Sequence, residues 1–183
     1  MKNILSILLF LVVPVMDVFA QLPANRVQWQ DEPLSWEDFM GEPELQNPFD
    51  ANTNSGISYS WSLRTSEEET EFLYKVEVFF YPDLSWVKPG KESPLLLAHE
   101  QLHLAITELH GRKLRKVMAE FVPDLSSDIK KVLERIYQKN ETFRRQMQEK
   151  YDRETNHGQD EAAQAKWENF IKAELTKLDE FSS

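Results

Sequence analysis

Leu95-Leu96-Leu97-Ala98-His99-Glu100-Gln101-Leu102-His103-Leu104-Ala105-Ile106 is an apolar run broken by three ionisable side chains and a glutamine. Ser93-Pro94 precedes it, a capping residue followed by one suited to the first helical position, so a helix starts here. Leu95, Ala98, Leu102, Ala105, Ile106 and Leu109 recur at steps of three and four and give that helix a core stripe. On it His99 and His103 lie one turn apart on one face and can share a metal ion. Glu100, turned roughly 100° from His99, stands beside the ion without binding it.

Zinc chemistry accounts for all three positions. A catalytic zinc takes three protein ligands and keeps a further place for water, whose pKa falls to about 7. Glu100 is then the general base that takes the water's proton and passes it to a leaving amine. Histidine and glutamate are also costly inside an apolar helix unless partnered, and a metal supplies a partner.

A third ligand is expected from Tyr151-Asp152-Arg153-Glu154-Thr155-Asn156-His157-Gly158, at the junction of two further helical patterns. His157 is the first choice, because Gly158 lets the chain turn to present it, and Asp152 is the rival. Tyr151 is the candidate donor to the oxyanion formed on a carbonyl, or else a core tyrosine at a helix end. Thr155 and Asp152 are candidates for orienting ligands through hydrogen bonds. His110 is excluded, since seven residues beyond His103 is roughly 10 Å along the axis. Glu108, about half a turn from His99, reads as a supporting or structural carboxylate.

Ahead of this helix, Ile57-Ser58-Tyr59-Ser60-Trp61-Ser62-Leu63 alternates without a break and predicts a strand with a serine face. Residues 72–81 predict a second strand with Tyr74, Val76, Val78 and Phe80 on one face, and the polar link makes the pair an antiparallel hairpin. Residues 21–33 read as an irregular lead-in, Leu34 to Phe39 as a short helical turn capped by Ser35, residues 44–54 as loop and 84–91 as a connector. Behind it, Pro123 closes the organising helix. Asp124 or Ser126 caps a second helix running to about Tyr151, and Asp160 caps a third through Trp167, Ile171 and Leu178. The fold class expected is α+β and zincin-like: a small antiparallel hairpin sheet packed on the H-E-x-x-H helix, then two further long helices.

The chain opens with Met1-Lys2-Asn3, an apolar run from Ile4 to Val15 and Val18-Phe19-Ala20, which reads as a cleaved signal peptide over residues 1–20. One domain then covers residues 21–183, strand-rich over 27–90 and helical over 93–181. Export predicts a periplasmic or secreted protein with no membrane span after cleavage. The chain contains no cysteine, so no disulfide holds it and its core must. A formal charge of −10 argues against nucleic acid as a partner.

Leu34-x-Trp36-x-Asp38-Phe39-x-Gly41, Ser55-Gly56-Ile57-Ser58-Tyr59, Ser85-Trp86-Val87, Leu97-Ala98-His99-Glu100-Gln101-x-His103 and Tyr151-Asp152-x-x-Thr155-x-His157-Gly158 together resemble an exported bacterial family, domain of unknown function 922, described as zinc-dependent proteases. Leu104 and Ala105 depart from it, standing where an aromatic residue and an aspartate are expected. The resemblance implies a zinc peptidase; in that reading the substrate is a peptide or protein outside the cytoplasm, and the strand from Tyr74 to Tyr81 or its neighbour is an edge for pairing it in extended form. The other reading is a non-catalytic exported interaction module, with or without a structural metal.

Overall fold

The structure, a computed structural model, describes residues 25–65 and 70–182. The expected signal peptide and the start at Gln21 lie outside the described residues. Two long strands, β3 (Ser55–Thr65) and β4 (Thr70–Phe80), pair antiparallel from Ser55↔Phe80 to Thr65↔Thr70. The short β1 (Val27–Gln28) adds to the other side of β4, giving the order β1-β4-β3. A second ladder pairs β2 (Ala51–Asn52) with β5 (Trp86–Val87). Three helices follow: α1 (Pro94–Ala119), α2 (Ile129–Thr155) and α3 (Glu161–Lys177). The fold is α+β, a small antiparallel sheet with three helices, as the hydrophobic periods predict.

Helix α1 sits between the sheet and the other two helices, which is why it is buried on more than one side. Leu104, Leu114 and Met118 join Ile57, Val76, Val78 and Phe80 of the hairpin and Leu133 of α2 in one core. Leu102, Ile106 and Leu109 join Tyr151, Trp167 and Ile171 of the other helices in a second. Gly111 allows the close approach to the sheet, since a Cβ there would collide with the Val78 side chain. Within this contact layer Glu108 is fully buried and accepts from Arg112 Nε at 2.9 Å and Arg115 at 3.0 Å. Arg112 and Arg115 also donate to the Leu175 and Phe181 carbonyls, and Arg115 to the Val76 carbonyl, so one carboxylate organises contacts from the sheet to the C-terminal end. Glu108 is thus the structural carboxylate of the two roles expected for it.

Differences from the sequence reading fall at element ends. Tyr74 is more than a third exposed, so the buried face of β4 begins at Val76; Phe79, on the opposite face, is covered by the Arg26 guanidinium at 4.2 Å. Asp124 does not cap α2: its carboxylate accepts from the Ser126 backbone and hydroxyl in a local turn, and Asp128 caps through Lys131 N. Helix α2 then runs a full turn past Tyr151, to Thr155. No helix among the described residues is long and apolar enough to cross a membrane.

Candidate metal centre

Helix α1 delivers His99 and His103 as the four-residue spacing requires, with Nε2 atoms 3.1 Å apart. Helix α2, still helical at residue 152, brings Asp152 Oδ1 to 3.2 Å from His99 Nε2 and 2.9 Å from His103 Nε2. The three donors lie within 4.8 Å of one another, a group able to hold one metal ion. A tetrahedral ion with bonds of about 2.0–2.1 Å separates its ligand atoms by roughly 3.3 Å, close to this triangle.

The surrounding hydrogen bonds decide which ring atoms meet. Gln148 Nε2 donates to the His103 carbonyl at 2.9 Å, so its Oε1 is the atom 2.5 Å from His103 Nδ1. Gln164 Nε2 donates to the Glu168 carboxylate, so its Oε1 faces His99 Nδ1, at a longer 3.4 Å. An amide oxygen on each Nδ1 places that nitrogen's proton there and leaves both Nε2 lone pairs facing inward. Two lone pairs and a carboxylate oxygen about 3 Å apart would repel one another unless a cation sits among them. The acid–base behaviour expresses the same preference for positive charge. Burial works to lower the His103 pKa, but the Asp152 hydrogen bond, with the charges of Glu100 and Asp152, outweighs it and raises it. Burial likewise opposes ionisation of Asp152, yet both imidazoles hold its carboxyl well below the usual carboxylate range.

Glu100 is 3% exposed, and its Oε2 has no hydrogen-bond partner among the described residues. It lines, with His99, His103 and Asp152, a cleft of about 720 Å³. An unpartnered buried carboxylate oxygen beside three converging acceptors fits the donor set and base that a metal with bound water needs.

His157 is outside the group of three. Its Nδ1 is 3.7 Å from Asp152 Oδ1, its side chain is 41% exposed, and its ring lies against Phe49 with centroids 4.3 Å apart at the cleft rim. Asn156, His157 and Gly158 have φ of +49°, +54° and +78°, a left-handed run that carries the chain out of α2. Gly158 closes that run against His99: a Cβ there would lie 2.9 Å from both Cβ and Cγ of the histidine. Tyr151 is fully buried, stacked on the His99 ring, and donates to Gln164 Oε1 at 2.6 Å, with the His99 carbonyl 3.2 Å from the same hydroxyl. Its hydroxyl is engaged behind the histidine, where the core-tyrosine alternative places it. Burial pushes that hydroxyl's pKa up, so it stays a donor. Thr155 donates to the Tyr151 carbonyl and accepts from Gly158 N, supporting the turn.

Two features escaped sequence reasoning. Gln148 and Gln164 carry no motif; only the four-residue step from Gln148 to Asp152 puts the first on the same face as that carboxylate. The extended wall of the cleft is formed by residues 48–55, including β2, and not by residues 74–81. β4 lies between its neighbours in the sheet, and at Phe79 and Phe80 both of its edges are paired.

Residues 92–158, which span His99, Glu100, His103, Asp152 and the left-handed turn, match the family described as "Bacterial protein of unknown function (DUF922)". The resemblance read from the motifs is thereby borne out over that segment. No curated protein and no solved structure matches the chain.

Proposed function

We propose that the chain is a metal-dependent peptidase in which His99, His103 and Asp152 hold a zinc ion and Glu100 is the general base. The observation that carries the reading is the buried Glu100 Oε2, without a hydrogen-bond partner among the described residues, next to three converging acceptors. When bound, the ion supplies a Lewis acid and an acidified water. Glu100, fixed on a stiff helix, accepts the attacking water's proton and returns it to the leaving amine. Gln148 and Gln164 keep the protons on the outer ring nitrogens, and Tyr151 holds the His99 ring in place as a positioning residue. His157 and Phe49, at the rim, contact what enters the cleft.

Two imidazoles and a carboxylate also suit ferrous iron. The neighbouring Glu100 is what favours hydrolysis over oxygen chemistry. An H-E-x-x-H helix against a small antiparallel sheet suits a zincin-like domain, and the substrate in this reading is a peptide or protein outside the cytoplasm.

Metal analysis and turnover of a broad peptide library test the assignment together. Wild type and Glu100→Gln should retain zinc and His103→Ala should lose it; Asp152→Ala should weaken metal binding more than His157→Ala. Wild type should cleave peptides, with activity abolished by chelators and by Glu100→Gln. Zinc-loaded Glu100→Gln turning over peptides at the wild-type rate would remove Glu100 from catalysis and leave the binding-module reading standing.

A further inference from the structure

We infer that the groove between α1, α2 and α3 binds a long-chain carboxylate, with its acid end at Lys113 and its tail along Phe143, Met147, Trp167 and Phe170. This groove encloses about 610 Å³, shares no lining residue with the metal cleft, and falls within the range of small-molecule sites. Phe143 and Phe170 are 50% and 45% exposed, a concentration of apolar surface that solvent-facing helices ordinarily avoid.

Charge selects the occupant. Three lysines and no acidic residue line the groove, in a chain whose formal charge is −10. Lys139 and Lys150 lie over the Phe143 and Trp167 rings at 5.8 and 5.7 Å, and Lys150 also reaches Glu154 at 3.8 Å. Lys113 has no hydrogen bond or ion pair of its own among the described residues; burial lowers its pKa, against the opposing charge of Glu174. His110 is 2% exposed and its Nε2 is without a partner among the described residues. Its Nδ1 faces Asn140 Oδ1, an orientation set by Asn140 Nδ2 donating to the His110 carbonyl. His110 Nε2 is sealed from the groove, so the cation that stands beside its wall of methionine and aromatic side chains is Lys113, half-buried and without a hydrogen bond or ion pair among the described residues. A carboxylate with a hydrocarbon tail suits this lining: its oxygens meet Lys113, and the tail covers the rings.

Calorimetric titration with dodecanoate below its micellar concentration, in the presence of a chelator, reads this directly. Saturable binding of one molecule per chain is expected, with dodecanol and a dodecyl trimethylammonium salt binding far more weakly. Phe143→Glu should weaken dodecanoate binding about tenfold or more, by losing apolar contact and adding a like charge. Lys113→Gln should weaken it while leaving dodecanol unaffected. Both positions are partly exposed, and circular dichroism checks that the variants fold. Non-saturating binding, equal affinity for dodecanol, or an unchanged affinity in Phe143→Glu would overturn the assignment. His103→Ala should bind dodecanoate as wild type does; loss of binding there would move the ligand to the metal cleft and equally defeat it.

Discussion

Gly158→Ala separates two costs that a glycine at a metal centre usually confounds. Gly158 has φ +78° and Gly90 has φ +77°, but a Cβ on Gly90 meets nothing within 4 Å, whereas one on Gly158 lies 2.9 Å from two carbons of His99. The left-handed backbone alone costs an alanine about 1–2 kcal/mol. Carbon atoms pack at about 3.5–4.0 Å, so the extra methyl at residue 158 must displace its neighbour by roughly 0.6–1 Å. The neighbour is a Cβ anchored to α1, so either the imidazole turns or the 156–158 turn backs away. Metal sites tolerate about 0.5 Å of misplacement, and loss of supporting contacts typically lowers affinity about 10–100-fold. Gly90→Ala should therefore lose about 1–2 kcal/mol in urea denaturation and bind metal normally. Gly158→Ala should lose more stability and bind zinc about 10–100-fold more weakly in competition with a chromophoric chelator. Equal zinc affinity in the two variants would refute the claim that Gly158 seats His99.

Glu108→Gln removes the carboxylate shared by two buried guanidiniums while keeping the volume, and should cost about 3 kcal/mol in chemical denaturation, at the lower end of broken buried pairs because carbonyl partners remain. Its metal affinity should match wild type; a stability change below about 1 kcal/mol would mean the network is energetically idle. Burial first, and Lys113 second, lower the His110 pKa from 6.5 to about 4. Between those values the unfolded chain binds the extra proton, so stability falls as pH drops through that window and is unaffected above pH 7. The difference between wild type and His110→Gln should shrink by roughly 2–3 kcal/mol from pH 7 to pH 4, and a difference independent of pH would contradict the buried neutral imidazole.

The hairpin and the three helices were legible because their apolar periods run for many residues, and Ser93 and Asp160 cap α1 and α3 as their spacing predicts. β1, β2 and β5 were not, since a two-residue strand has no period and exists only by its partner: Ala51 and Asn52 pair with Val87 and Trp86. The site followed the same division. His99, Glu100 and His103 are fixed by one helix and were readable from spacing. Which of Asp152 and His157 faces the two imidazoles depended on where α2 ends: one additional turn keeps Asp152 on the helix beside them, while His157 falls in the left-handed run beyond. Gln148, Gln164 and the use of the Tyr151 hydroxyl arise from contacts between α1, α2 and α3, a level that no local pattern encodes.

His99 and His103 belong to α1 and Asp152 to α2, the two longest helices of a chain without cysteine. An ion gripped from both would be a removable bolt across them. At a thousand times its dissociation constant it would add about 4 kcal/mol to the folded state. Starved of metal, the same molecule would open more often along that seam and be degraded sooner, so its abundance would track the metal supply of its surroundings.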